Sequence, residues 1–199
     1  MGRLLLVRHG ESEGNRERRF TPHPGIPLTP AGRAQVEAAA RWIAARYVPR
    51  AIVSSPFSRA RETADILGAG LHLAVTVEPD LRERSYGVFA GQPYDTPRQG
   101  YDPAAYWAWR PPGGESLEEV LVRAGAVLDR FARAGGVDDV VVVSHGAVML
   151  ALWRHVTGTW GEPRVVPNAA IVEVEHRHGV YRAACRVGPD GVGRETWPR

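Results

Sequence analysis

Two short apolar runs, Leu4 to Val7 and Val140 to Val143, each end abruptly on a histidine followed by a glycine, in "LLLVRHG" and "VVVVSHG". A run with no apolar–polar alternation fits a strand covered on both faces, the situation of a parallel sheet between helices. Such sheets bind ligands at the carboxyl edge of their strands. His9 and His145 are therefore expected at one edge of one sheet, although they come from distant parts of the chain. A strand running out into solvent would also end on polar residues. The same unusual context twice is harder to assign to packing.

The rest of the pattern agrees with that sheet. Thr29-Pro30 is an N-cap and first-turn pair for an amphipathic segment reaching about Tyr47. "AIVSSP" reads as a second strand, "FSRARETADILGAG" as a helix stopped by its glycines, and "LAVTVEPDLRERSYG" as a third strand running into a charged loop. From Gly87 to Gly114 the periodicity is poor and aromatic residues are dense, which predicts an irregular insertion with one short helix. Ser116 and Glu119 form a capping box at the head of the clearest helix, and "AVMLALWRHVTG" is a helix behind His145. "AAIVEVEHRHGVYRAACRV" predicts two alternating strands about a turn near His178-Gly179. The expected fold class is α/β: a three-layer α/β/α sandwich with a mostly parallel central sheet and an antiparallel edge hairpin near the C-terminus. One domain over residues 1–199 is expected, with the aromatic insertion at about 87–114 as a lid.

Composition narrows the partners. No apolar stretch approaches the roughly 18–20 residues that span a bilayer, and Leu4 to Val7 is too short for a signal-peptide core, so a cytoplasmic protein without membrane contact is expected. The single cysteine, Cys185, lies in an apolar alternation and reads as a packed strand residue. All 25 basic residues are arginine, the better bidentate partner for phosphate and carboxylate. They are scattered among 22 acidic residues, and "NRERRF" reads as a solvated loop, so no nucleic-acid partner is expected. His176 and His178 form an H-x-H pair whose shared face is expected to meet solvent. His9, His145 and Glu83 have ligand chemistry for zinc, but the arginines around them would repel a cation. No metal site or cofactor is expected.

Six segments, "LVRHGESEGN", "PLTPAGRAQ", "SSPFSRARETA", "LRERSYGVFAG", "PGGES" and "VVVSHG", resemble in order those of the histidine phosphatase superfamily, in its phosphoglycerate mutase-like branch. The resemblance implies that His9 is a nucleophile taking a phosphoryl group on a ring nitrogen, which requires a neutral imidazole. It implies that Arg8, Arg59 and His145 hold the transferring oxygens, with Asn15 adding an amide donor. Arg59 matches the motif better than Arg61. Glu83 is implied as the acid that protonates the departing oxygen and then as the base that activates water, although local chemistry alone does not separate it from Glu78. Arg84, Ser144 and Gly146 are further candidate substrate contacts.

Three functions remain open at this level. The favoured one is a metal-independent phosphomonoesterase acting through phosphohistidine on a small phosphorylated metabolite. A cofactor-dependent phosphoglycerate mutase is the second; against it stand the absent lysine, Gly14 where mutases carry a bulky aromatic, and a short middle insertion. The third is a catalytically silent protein that binds a phosphorylated ligand. The aromatic insertion suits either stacking on substrate or packing on itself, and a homodimer is left open.

Overall fold

A computed structural model describes residues 2–21, 23–134, 139–160, 166–177 and 180–187, with the side chains of 134 and 182–187 outside the description. The first apolar run lies in the middle of a six-stranded sheet. β1 (Gly2–Arg8) pairs in parallel with β4 (Asp139–Ser144), placing Arg8 opposite Ser144, and antiparallel with β5 (Ile171–Arg177). β2 (Pro49–Ser54) lies parallel to β4 and to the short β3 (Val75–Val77), while β6 (Val180–Val187) is antiparallel to β5. The order is β3-β2-β4-β1-β5-β6: four parallel strands followed by the antiparallel pair.

The helices are α1 (Glu13–Arg16), α2 (Pro30–Ala44), α3 (Ser58–Leu71), α4 (Leu117–Ala134) and α5 (Gly146–Thr157). Strand geometry sends alternate residues to opposite faces, and both faces of this sheet are covered. Leu5, Val7, Val141 and Val143 pack with Val36 and Ile43 of α2 and Leu67 of α3. Leu4, Leu6, Val140 and Val142 pack with Val120 and Leu128 of α4 and Val148 and Leu152 of α5. The uninterrupted apolar runs thus serve two cores. Leu4 and Leu5 are both fully buried, and truncating either to alanine should cost about 2–5 kcal/mol.

Several local expectations change. The first long helix ends at Ala44, before the buried Tyr47. The glycines of "ILGAG" do not stop α3: it runs through Gly68 and Gly70 and ends where His72 takes a left-handed conformation, φ 56°. Gly68 is a packing residue, because a Cβ there would sit 2.7 Å from the Leu73 carbonyl oxygen. The Gly87–Gly114 segment contains two 3-10 turns, Gly87–Phe89 and Pro103–Ala105, in place of one helix. His176 is only 1% exposed, so its face of β5 is interior rather than solvent. Pairing with Gly2 on one side and Tyr181 on the other places it between two strands. His178, the turn at His178-Gly179 and the Cys185 side chain lie outside the described residues. Among the described residues no helix is long and apolar enough to cross a membrane.

Parallelism is what positions the site. Because β1, β2, β3 and β4 run the same way, the segments that follow them converge at one edge. These carry His9, then Ser55 to Arg59, then the 3-10 turn Pro79–Leu81 leading to Glu83, and His145 at the N-cap of α5.

Candidate active site

His9 is held by its backbone before its ring is considered. Its N–H donates to the Ser144 carbonyl at 3.0 Å, and its own carbonyl accepts from the Ala169 N–H and the Asn168 amide, both at 3.1 Å. The next residue must be small. A Cβ on Gly10 would lie 2.5 Å from the Gly32 carbonyl oxygen and 2.8 Å from Val36, so the start of α2 presses directly on this turn. The Gly10 N–H donates to the Thr63 hydroxyl, which donates to the Arg59 carbonyl, joining the turn to the helix that carries Arg59.

The ring then has one tautomer available. Nδ1 is 2.7 Å from the Gly10 carbonyl, which only accepts, so Nδ1 carries the proton. Nε2 keeps its lone pair, and that lone pair accepts the Arg59 Nε–H at 3.1 Å. Burial and the Arg59 and Arg8 charges hold the His9 pKa well below the usual histidine range. A buried, neutral imidazole with Nε2 turned to an arginine has the form of a nitrogen nucleophile.

Around it lie polar nitrogens without partners. Arg8 Nε, Arg59 Nη1 and His145 Nδ1 are buried and make no hydrogen bond. Each such group costs about 1–3 kcal/mol when unmatched, and three around the His9 imidazole call for an explanation. Arg8 spends Nη1 on the Val166 carbonyl at 2.6 Å. The His145 Nε2 is 2.7 Å from the Ser55 hydroxyl, and that hydroxyl accepts the Phe57 N–H. With Ser55 donating to Nε2 the His145 proton sits on the unpartnered Nδ1; with Ser55 accepting from Nε2, Nδ1 is an unpartnered acceptor. Burial, then Arg59 and the neighbouring His9, hold the His145 pKa well below the usual range. The two histidine ring centroids are 5.1 Å apart.

Glu83 is the carboxylate of this group. Its oxygen accepts the Arg84 N–H at 2.9 Å. Burial pushes its pKa up, opposed by Arg59, the Arg84 amide, Arg8 and Arg123, so the protonated form persists above the ordinary carboxylate range. Glu78 serves elsewhere: it accepts from Asp80 N–H and pairs with Arg130.

A cavity of about 490 Å³ opens over these groups, lined by Arg8, His9, Asn15, Arg59, Glu83 and Arg84, by Gly146, and by an aromatic wall that includes Phe20, Tyr86, Tyr94 and Trp109. The insertion packs partly on itself, where Trp109 meets Phe89 and Tyr101 edge-on, and partly on the chain after α5, where Trp107 stacks on Trp160 at 5.9 Å. Tyr94, Tyr101, Tyr106 and Trp109 of the same segment also line the cavity.

The remaining sequence candidates divide. Asn15 lines the cavity, but its Oδ1 accepts from Ser12 and Asn168, leaving the amide, which reaches Tyr94 OH at 3.3 Å. Arg84 also lines it, yet its Nε and Nη2 donate to the carbonyls of Glu115 and Trp109. Ser144 is fully buried and donates to the Leu81 carbonyl at 2.8 Å, so its hydroxyl fixes a turn instead of facing the cavity. His145 does not form part of the cavity wall; it lies beneath, against His9 and Phe57. Asn168, Ser55, Thr63, Glu115 and Arg123 were not singled out from sequence. Each acts through a contact between distant segments, and nothing local marks it. Among the described residues no group of three or more His, Cys, Asp or Glu side chains is arranged to hold a metal ion.

Known proteins are similar to this chain in sequence and in fold. The bifunctional protein Rv2228c of Mycobacterium tuberculosis is 38% identical over 158 residues, 76% of this chain, which spans only 43% of that protein's length. The uncharacterized phosphatase PhoE of Bacillus subtilis is 30% identical over 186 residues, 92% of each chain. The solved structure of mycobacterial glucosyl-3-phosphoglycerate phosphatase in complex with VO3 superposes with a TM-score of 0.81 at 30% identity, covering 90% of this chain and 96% of that one. The sequence model of the histidine phosphatase superfamily, branch 1, matches residues 4–186, and with nearly the whole described fold inside that match the chain belongs to this family.

Proposed function

We propose that the protein is a metal-independent phosphomonoesterase that acts through a phosphohistidine on Nε2 of His9, with a small phosphorylated metabolite as substrate. The observation that carries this reading is the pair of unpartnered buried donors on the cavity wall, Arg8 Nε and Arg59 Nη1, beside a neutral imidazole with its lone pair on Nε2, with the unpartnered Nδ1 of His145 beneath them. A phosphoryl group supplies the oxygen acceptors such donors lack. Arg59 then turns its guanidinium from Nε2 to the phosphoryl oxygens and frees the nucleophile.

The cycle balances with the groups present. The Nε2 lone pair forms the N–P bond as the P–O ester bond breaks, and Glu83 gives its proton to the leaving oxygen. Water then attacks phosphorus, its proton passes to the Glu83 carboxylate, and the N–P bond breaks to release phosphate. Fixed positive charge does the neutralising that a metal ion performs in other phosphatases. The cavity exceeds what a phosphoryl group fills, and the segment around residues 87–114 covers it as a lid.

Two observations favour water over a second substrate oxygen as acceptor. The chain has no lysine, and two of the Arg84 donors are spent on backbone carbonyls. That the relatives include phosphatases supports the same choice. The test is product analysis with EDTA present: phosphate release from monoesters, with little interconversion of 2- and 3-phosphoglycerate even when the bisphosphate is added. Loss of hydrolysis on chelation, restored by a divalent ion, would refute metal independence, and efficient bisphosphate-dependent interconversion would refute the choice of acceptor.

A further inference from the structure

Four consecutive carbonyls, those of residues 80 to 83, each accept a hydrogen bond from a side chain on another element. Arg123 of α4 supplies three of them, Nη1 to Asp80 at 2.6 Å and Arg82 at 2.8 Å, and Nη2 to Glu83 at 3.3 Å. Ser144, at the end of β4, supplies the fourth, to Leu81. Arg123 is in turn held by Glu115, whose two oxygens accept its Nε and Nη2 at 2.9 Å each. The same carboxylate accepts the Ser85 N–H at 2.9 Å and Arg82 Nη2 at 3.3 Å, while the Glu115 backbone N–H donates to the Ser85 carbonyl. A planar guanidinium can meet a bidentate carboxylate and three carbonyls at once; an ammonium offers a point charge and three donors.

The 80–85 segment has little regular structure of its own beyond one 3-10 turn, yet it carries Glu83. A general acid must sit within hydrogen-bond reach of the leaving oxygen, and a displacement of about 1 Å can cost roughly 100-fold in rate.

Resting on the assignment of Glu83 as the proton donor, we propose that Arg123, clamped by Glu115, is a positioning residue that sets the place of the Glu83 carboxyl by gripping the backbone on which it is carried. Arg123 does not touch the reacting atoms. Its removal therefore damages only the steps that use Glu83, and phosphoryl transfer that needs no protonation is damaged less.

Leaving-group dependence separates this from a structural role. An alkyl ester such as glycerol 3-phosphate needs its departing oxygen protonated, whereas 4-nitrophenyl phosphate needs little help. Single-turnover phosphorylation rates should give, for Arg123→Met, a nitrophenyl-to-glycerol ratio at least about tenfold above that of the unmodified enzyme, with Arg123→Lys between the two. In a Glu83→Gln background, adding Arg123→Met should change the ratio by less than about twofold, because the two residues act as one unit. Glu115→Gln should move the ratio in the same direction and serves if Arg123→Met does not fold. A loss equal on both esters, or full additivity with Glu83→Gln, would overturn the positioning role while leaving the phosphatase reading intact. If Glu83→Gln itself lowers both esters equally, Glu83 is not the acid and this inference falls with that assignment.

Discussion

Gly10→Ala tests how tightly the position of His9, the proposed nucleophile, depends on packing. Gly10 has no left-handed backbone to protect, so the substitution acts through the added carbon alone. That carbon would stand 2.5 Å from the Gly32 carbonyl oxygen, 3.0 Å from its carbon and 2.8 Å from Val36 Cγ2. The oxygen belongs to backbone in the first turn of α2 and cannot rotate away, so β1 and α2 must part by several tenths of an ångström. Overpacking of this kind costs about 1–3 kcal/mol. For a chain of this length each 1 kcal/mol lowers Tm by about 2–4 °C, giving a fall of about 2–12 °C. The same displacement moves His9 against Arg59, and a shift approaching 1 Å costs roughly 100-fold in rate. Thermal unfolding and nitrophenyl phosphate turnover measure the two effects. Gly14→Ala, inside α1, is the control: its Cβ makes ordinary contacts, 3.4 Å from the Thr21 hydroxyl and 3.7 Å from the Arg19 carbonyl oxygen, and stability should hold or rise by about 0.4–1 kcal/mol. A Gly10→Ala protein with unchanged Tm and unchanged turnover would refute the reasoning.

Three further outcomes follow from the site. Asn168→Ala removes the amide that joins the His9 carbonyl to Asn15 Oδ1 and should cost about 1 kcal/mol of stability, with turnover falling more than substrate affinity; an unchanged kcat would show that His9 is held without it. His9 and His145 have depressed pKa values in the fold, so the unfolded chain binds protons that the folded chain refuses as pH drops below about 6.5. Each should remove about 1.4 kcal/mol of stability per pH unit below that point until its folded pKa is reached, and urea titrations at pH 7, 6 and 5 that show no loss would contradict neutral histidines. Glu83 works with the opposite sign: burial raises its pKa above the ordinary carboxylate range, and turnover of alkyl esters should fall as pH rises through it.

The sheet and the two histidines were legible because the information was local. Unbroken apolar runs require cover on both faces, and both cores are found where Leu4/Leu6 and Leu5/Val7 point. The capping box was legible for the same reason: Ser116 and Glu119 exchange their hydrogen bonds at 2.7 and 3.1 Å as their spacing dictates. The family resemblance supplied Arg59 and Glu83, which a local reading would have left among the other charged loop residues. What stayed hidden depends on partners far along the chain. Arg123 reads as the polar side of an amphipathic helix until three carbonyls some 40 residues away are seen to end on it. His176 looked exposed because it neighbours a turn, but it shares the face of Val172 and Val174, which α4 and α5 cover. The α3 glycines carry the signal of a helix stop, and only the nearness of the Leu73 carbonyl shows that Gly68 is there for space.

The proposed covalent step is open to direct measurement. Enzyme quenched in denaturant during turnover of a phosphorus-labelled ester should carry acid-labile, alkali-stable phosphate. Phosphorus NMR of that denatured protein should place it on Nε2, since Nδ1 of His9 holds its proton against the Gly10 carbonyl. His9→Ala should carry none. Turnover with no trapped phosphohistidine under conditions that slow its hydrolysis, label on Nδ1, or label that survives in His9→Ala would contradict the assignment of His9 Nε2 as the nucleophile.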